Sequence, residues 1–103
     1  MKATDDKGFL TDTLRGSVVV KCTADWCQPC KTVQPIIDKV ARKFPSTHFL
    51  QLDVDENPRV VNAYNIQAVP TLLFFRDGKY QGMLAGGFTE IRLTETIQQL
   101  IGG

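Results

Sequence analysis

The stretch SVVVKCTADWCQPCKTVQPIIDKVARKF, Ser17 to Phe44, decides the fold. It opens on SVVVKCT, which is rich in β-branched residues and almost continuously apolar. Such a run reads as a strand covered on both faces, as in a parallel sheet. From Pro29 onward the apolar residues fall at Val33, Ile36, Ile37, Val40, Ala41 and Phe44, the stripe of a helix packed on one side. Pro35 lies inside that helix and is expected to kink it. A strand that feeds a helix through a short loop begins an α/β unit. The loop carries ADWCQPCK, residues 24–31, with two cysteines three positions apart.

The rest of the chain extends this pattern. Lys7 to Leu14 reads as a short helix, with Thr4-Asp5-Asp6 before it as a cap. Thr47 to Val54 (THFLQLDV) is a second strand. Asn57-Pro58 opens a short helix through Tyr64, with Pro58 near its first position. Thr71 to Arg76 is a third strand, Asp77-Gly78 is a hairpin signal, and Lys79 to Ala85 returns antiparallel. Gly86-Gly87 breaks the chain, and Thr89 caps a final helix that ends before Gly102. The order implies an α/β domain with a mixed central sheet and a right-handed first crossover.

At 103 residues the chain suits one domain, 1–103, with one core. A net charge of +1 gives no electrostatic case for nucleic acid or an acidic membrane. The longest apolar runs, Val18-Val19-Val20 and Leu72-Leu73-Phe74-Phe75, fall far short of a membrane span. The charged opening MKATDDKGFL lacks the apolar centre of a signal peptide, so the expected location is cytoplasmic.

Three cysteines, Cys22, Cys27 and Cys30, fall within nine residues. An odd, clustered set is not a disulfide scaffold. Cys27 falls where the helix begins, and helix N-termini present free amide hydrogens and a partial positive charge. Both favour a thiolate and make a nucleophile. Pro29 suits the first turn, where no amide hydrogen is needed. Cys30, one turn further in, is expected to be less exposed and within reach of Cys27. That arrangement suits thiol–disulfide exchange, with Cys27 attacking and Cys30 resolving the mixed disulfide. Two other readings stand beside it. A zinc site would need Cys22 and His48 as its remaining ligands, one on a core strand and the other isolated. A static structural disulfide would close too short a loop to constrain the unfolded chain much.

Taken together, the spaced motifs resemble the thioredoxin family. Trp26-Cys27-Gln28-Pro29-Cys30-Lys31 is similar to its W-C-x-P-C-K site, and Pro35 to the proline that kinks the following helix. Asp53-Val54-Asp55-Glu56-Asn57-Pro58 looks like its strand-to-helix segment. Val69-Pro70-Thr71 resembles its [IV]-P-T signature, and Gly86 the glycine that faces the site. The resemblance runs from about Phe9 to Ile101. It implies a thioredoxin fold, a mixed sheet of four or five strands between helices, with few residues before Thr4 for a first edge strand. It also implies reduction of protein disulfides by a monomer, electrons drawn from a flavin-containing thioredoxin reductase, and neither metal nor organic cofactor. Substrate would lie over Trp26, Val69-Pro70 and Gly86-Gly87, with a cis bond before Pro70 and strand-like pairing at Val69. Read without the resemblance, Pro70 is an ordinary trans turn proline.

The sequence departs from the family pattern in three places. Gln28 stands where glycine is usual and adds bulk at the helix start. Lys21 stands where a buried aspartate is usual, and Gln51 where its companion lysine is usual. Lys21 either snorkels outward or lies buried and assists Cys30 in place of the aspartate. Thr23 replaces a tryptophan. Cys22 reads as a small core residue, Lys31 as a contributor of positive potential, and Tyr64 and Phe74 as core. His48, Arg42, Lys43, Arg59 and Arg92 read as solvated. Two other functions remain open: an exported oxidase or isomerase, and a redox-independent accessory or binding subunit on the same fold.

Overall fold

The structure, a computed structural model, describes residues 1–102. Its sheet has five strands in the order β1-β3-β2-β4-β5: β1 (Lys2–Ala3), β2 (Ser17–Thr23), β3 (His48–Asp53), β4 (Thr71–Arg76) and β5 (Lys79–Ala85). The helices are α1 (Phe9–Asp12), α2 (Gln28–Ala41), α3 (Pro58–Ala63) and α4 (Glu90–Leu100). β2 pairs in parallel with β3 and antiparallel with β4, so the sheet is mixed. The edge strand β1 is only two residues long, yet it pairs in parallel with Leu50 and Gln51 of β3.

Alternation along the central strands feeds two cores. Val18, Val20 and Cys22 join Leu50, Leu52, Leu73 and Phe75 beneath Phe9 of α1 and Val60 of α3. Val19, Leu72 and Phe74 pack on the opposite face against Val33, Ile37 and Val40 of α2 and Leu93 and Ile97 of α4. The continuous apolar run of β2 thus reflects cover on both faces. Lys21 follows the same alternation and points toward α2.

Several boundaries differ from the sequence reading. The first helix is confined to Phe9–Asp12, and the Asp6 carboxylate does not cap it. Its two oxygens accept the amides of Arg59 and Val60 at 3.0 and 2.9 Å, capping α3 from the far end of the chain. The α2 stripe continues to Phe44, but the helix ends at Ala41. There the amides of Lys43 and Phe44 bond three residues back and tighten the turn before Pro45. Lys43 is not a free charge. With Lys39 it grips Glu90 at 2.7 and 3.2 Å, and their hydrogen bonds hold the Glu90 carboxyl below its usual range.

Two glycines are required by geometry. Asp77 and Gly78 both have positive φ, which makes the two-residue turn that matches strand twist. Gly82 has φ +141°, and a Cβ there would come within 3.3 Å of Leu100 on α4. Phe74, opposite Gly82 and fully buried, lies at the centre of the α2–α4 core.

Replacing Phe74 with Ala is expected to destabilise the fold by about 3–5 kcal/mol, read as a lower urea midpoint at unchanged slope. A second prediction concerns Cys22, a fully buried free thiol whose pKa burial pushes up from 9.0 to about 12. Above pH 9 the unfolded thiol ionises while the folded one stays protonated, so stability falls as pH rises. Wild type should lose about 2 kcal/mol more than Cys22→Ala between pH 8 and 10.5. Parallel losses in urea melts at the two pH values would contradict this.

Candidate active site

The site is assembled at one end of the sheet. The β2–β3 register pairs Thr23 with Asp53, so the loops leaving both strands start side by side. β4 runs the opposite way and begins at Thr71 beside Cys22, which delivers Val69-Pro70 to the same end. Ala24, Cys27 and Cys30 form a small buried cluster there, with Val54 and Val69 packed against it.

Cys27 and Cys30 are joined as a disulfide, with Cα atoms 5.3 Å apart. Cys27 is the N-cap of α2 in an extended conformation, and its Sγ accepts the amide of Cys30 at 3.1 Å. Gln28 and Pro29 fill the first two helical positions, and both side chains are exposed. Pro29 removes a donor that the first turn would leave unpaired. Exposure does not separate the two sulfurs as expected: Cys27 is 2% and Cys30 1% exposed. The disulfide draws both into the Ala24–Val54–Val69 cluster, and they differ instead in position. Cys27 receives the helix amide; Cys30 donates it.

Trp26 projects outward, 69% exposed, while its indole N–H donates to Asp55 Oδ2 at 2.8 Å. Asp55 had no role in the sequence reading beyond its place in the 53–58 segment; the shared strand ends bring it to Trp26. A cleft of about 260 Å³ runs between Trp26, Val54, Val61, Ile66 and Val69. The Val69–Pro70 peptide is cis. Gly86, at φ +80° where a side chain is disfavoured, donates its amide to the Pro70 carbonyl at 2.8 Å. Gly86 therefore reaches the site through Pro70.

Lys21 does not snorkel. It is 4% exposed, and its ammonium donates to the Cys30 carbonyl at 3.0 Å and to Gln34 Oε1 at 2.6 Å. Gln34 in turn donates to Asp38 Oδ1 at 2.8 Å. Burial lowers the Lys21 pKa, and the Asp38 carboxylate partly opposes that shift. Gln34 and Asp38 were not singled out from sequence. Their signal was helical spacing: Cys30, Gln34 and Asp38 repeat every four residues along one face of α2. Gln51, paired with Lys21 across the strands, joins Lys31 and Asp25 around a cleft of about 660 Å³ behind Cys30.

Cys22 lies on the opposite core face of β2, and His48 is exposed near the far end of β3. Neither is placed to complete a metal site with Cys27 and Cys30. Among the described residues, no three His, Cys, Asp or Glu side chains gather as metal ligands. No helix among them is long and apolar enough to cross a membrane.

Residues 2–99 match the family model described as Thioredoxin. A thioredoxin H-type from Oryza sativa subsp. indica is 39% identical over 85 residues, covering 82% of this chain and 69% of that one. Thioredoxin 1 from Synechococcus elongatus is 32% identical over 100 residues, covering 94% of each. A chain was solved in work on the thiol resolving mechanism in yeast mitochondrial 1-Cys peroxiredoxin via glutathione/thioredoxin systems. It superposes at a TM-score of 0.88 and 26% identity, covering 97% of this chain and 95% of its own. With the Cys27–Cys30 pair in place at the head of α2, the chain belongs to the thioredoxin family, whose members are thiol–disulfide oxidoreductases.

Proposed function

We propose that this protein reduces disulfides in other proteins, with Cys27 as nucleophile and Cys30 as resolving thiol. The observation that carries the reading is the hydrogen bond from the Cys30 amide to Cys27 Sγ at the N-terminus of α2. The same donor and the helix dipole favour negative charge on that sulfur once the disulfide is opened. Cys27 thiolate attacks a substrate sulfur, a mixed disulfide forms, and the first substrate thiolate leaves. Cys30 then attacks Cys27 and releases the second. Two electrons pass to the substrate through the sulfur pair itself, and two protons follow from solvent.

The outward indole of Trp26, the cleft beside it and the Val69-Pro70 segment form the surface on which an extended substrate would lie. We assign strand-like pairing of that peptide to the Val69 backbone, beside the cis Val69–Pro70 bond. Gln28 presents an amide at the rim, and Lys31 adds positive charge there. We assign re-reduction to a flavin-containing thioredoxin reductase and read the protein as a cytoplasmic, monomeric, single-domain reductase. Neither nucleic acid nor membrane enters this reading.

The test is insulin reduction with dithiothreitol as donor, followed by turbidity. Wild type should accelerate precipitation, and Cys27→Ser or Cys27→Ser/Cys30→Ser should fall to the uncatalysed rate. A wild type no faster than the double variant would overturn the reading. Equilibration of the Cys27–Cys30 couple with glutathione separates the direction of use. A potential near about −270 mV fits a reductase, whereas about −120 to −180 mV would assign an oxidase or isomerase.

A further inference from the structure

The buried ammonium of Lys21 has no part in the reaction as written above, yet it is tied to the residue that must resolve the mixed disulfide. We propose that Lys21 is a positioning residue for Cys30: held on the Cys30 carbonyl and Gln34, its ammonium favours the Cys30 thiolate, and the cleft behind Cys30 carries the released proton to water. The proposal deepens the reductase reading and rests on it.

The argument begins with the cost of the group. A buried ammonium is expensive unless its donors are satisfied. Two of the three N–H groups of Lys21 are bonded, one to the Cys30 carbonyl and one to Gln34. Among the described residues no third protein acceptor appears, which leaves one N–H for water in the cleft. The bond to the Cys30 carbonyl fixes the charge within the same residue as the resolving sulfur. A cation held 3.0 Å from the backbone carbonyl of the residue that bears the sulfur favours a thiolate over a thiol there, and low local dielectric strengthens the effect.

The charged surroundings are mixed. Asp38 on α2 faces Lys21, and Lys31 on α2, Asp25 in the preceding loop and the Met1 segment border the same cleft. The neighbours on β3 and β4 in register with Lys21 are Gln51 and Leu72, both uncharged. Lys21 is therefore the buried cation of this group and the one bonded to Cys30. In the resolving step the Cys30 thiol loses its proton, its sulfur bonds to Cys27, and the bond between Cys27 and the substrate breaks. The substrate sulfur leaves with the electron pair. The Cys30 proton exits by way of the cleft that Cys30, Lys21 and Gln34 line, past the half-buried Gln34.

The test is the titration of Cys30 by its 13Cβ shift in a Cys27→Ser background, where no second site thiol is coupled to it. Lys21→Met removes charge and hydrogen bond. Lys21→Gln removes the charge and keeps a donor, and Lys21→Arg keeps the charge. We expect the Cys30 thiolate fraction at pH 7 to fall about tenfold in Lys21→Met and Lys21→Gln and to be largely retained in Lys21→Arg. Superimposable Cys30 curves in all four proteins would overturn the proposal, whatever happens to their melting temperatures. Should the uncharged variants fail to fold, the parent protein decides. The Cys30 curve must then show an inflection where the Lys21 13Cε shift titrates, and its absence is equally decisive. Neither readout needs turnover, so failure in the insulin assay and failure of this proposal remain distinguishable.

Discussion

Everything at this site depends on where α2 starts. Cys27 occupies the N-cap, so a free first-turn amide of the helix, that of Cys30, is spent on a sulfur rather than on a hydroxyl or carboxylate. A Ser or Asp at this position would cap the helix at least as well. The sheet makes the placement useful. β2 and β3 end together, and β4 begins beside them, so three loops meet over one disulfide. Val54 arrives from the second loop, Val69 from the third, and Trp26 is held to Asp55 by its indole nitrogen.

The two faces of β2 divide the labour. Val18, Val20 and Cys22 seal one core and Val19 the other, and these residues anchor the strand. Lys21 falls in the same alternation, on the α2 side, where an apolar residue would satisfy packing alone. Its partners explain how the fold tolerates it: a carbonyl at the first turn of α2, then an amide side chain one turn on, then Asp38. The polar row on α2 and the odd residue on β2 are one device, split between two elements.

Much of this was legible in the sequence. Strands β2, β4 and β5 were read with their observed bounds, because β-branched runs and the Asp77-Gly78 turn are local signals. The Cys27–Cys30 pair and the N-cap position of Cys27 followed from one loop between a strand and a helix. What escaped was non-local. Asp6 caps a helix more than fifty residues away, which no local pattern announces. The two-residue strand β1 exists only because β3 offers it an edge. The burial of Lys21 was undecided, since a single strand cannot say whether an amide and a carbonyl wait on the facing helix. The equal burial of both cysteines likewise depends on Val54 and Val69 arriving from other loops.

The central claim is that the head of α2 makes Cys27 a nucleophile at neutral pH. Its most direct measurement is the iodoacetamide alkylation rate of Cys27 in the reduced protein at pH 7, against the same chain unfolded in urea. The account predicts alkylation at least about tenfold faster in the folded protein, with Cys27 modified before Cys30. A folded Cys27 that reacts no faster than the unfolded one would contradict it.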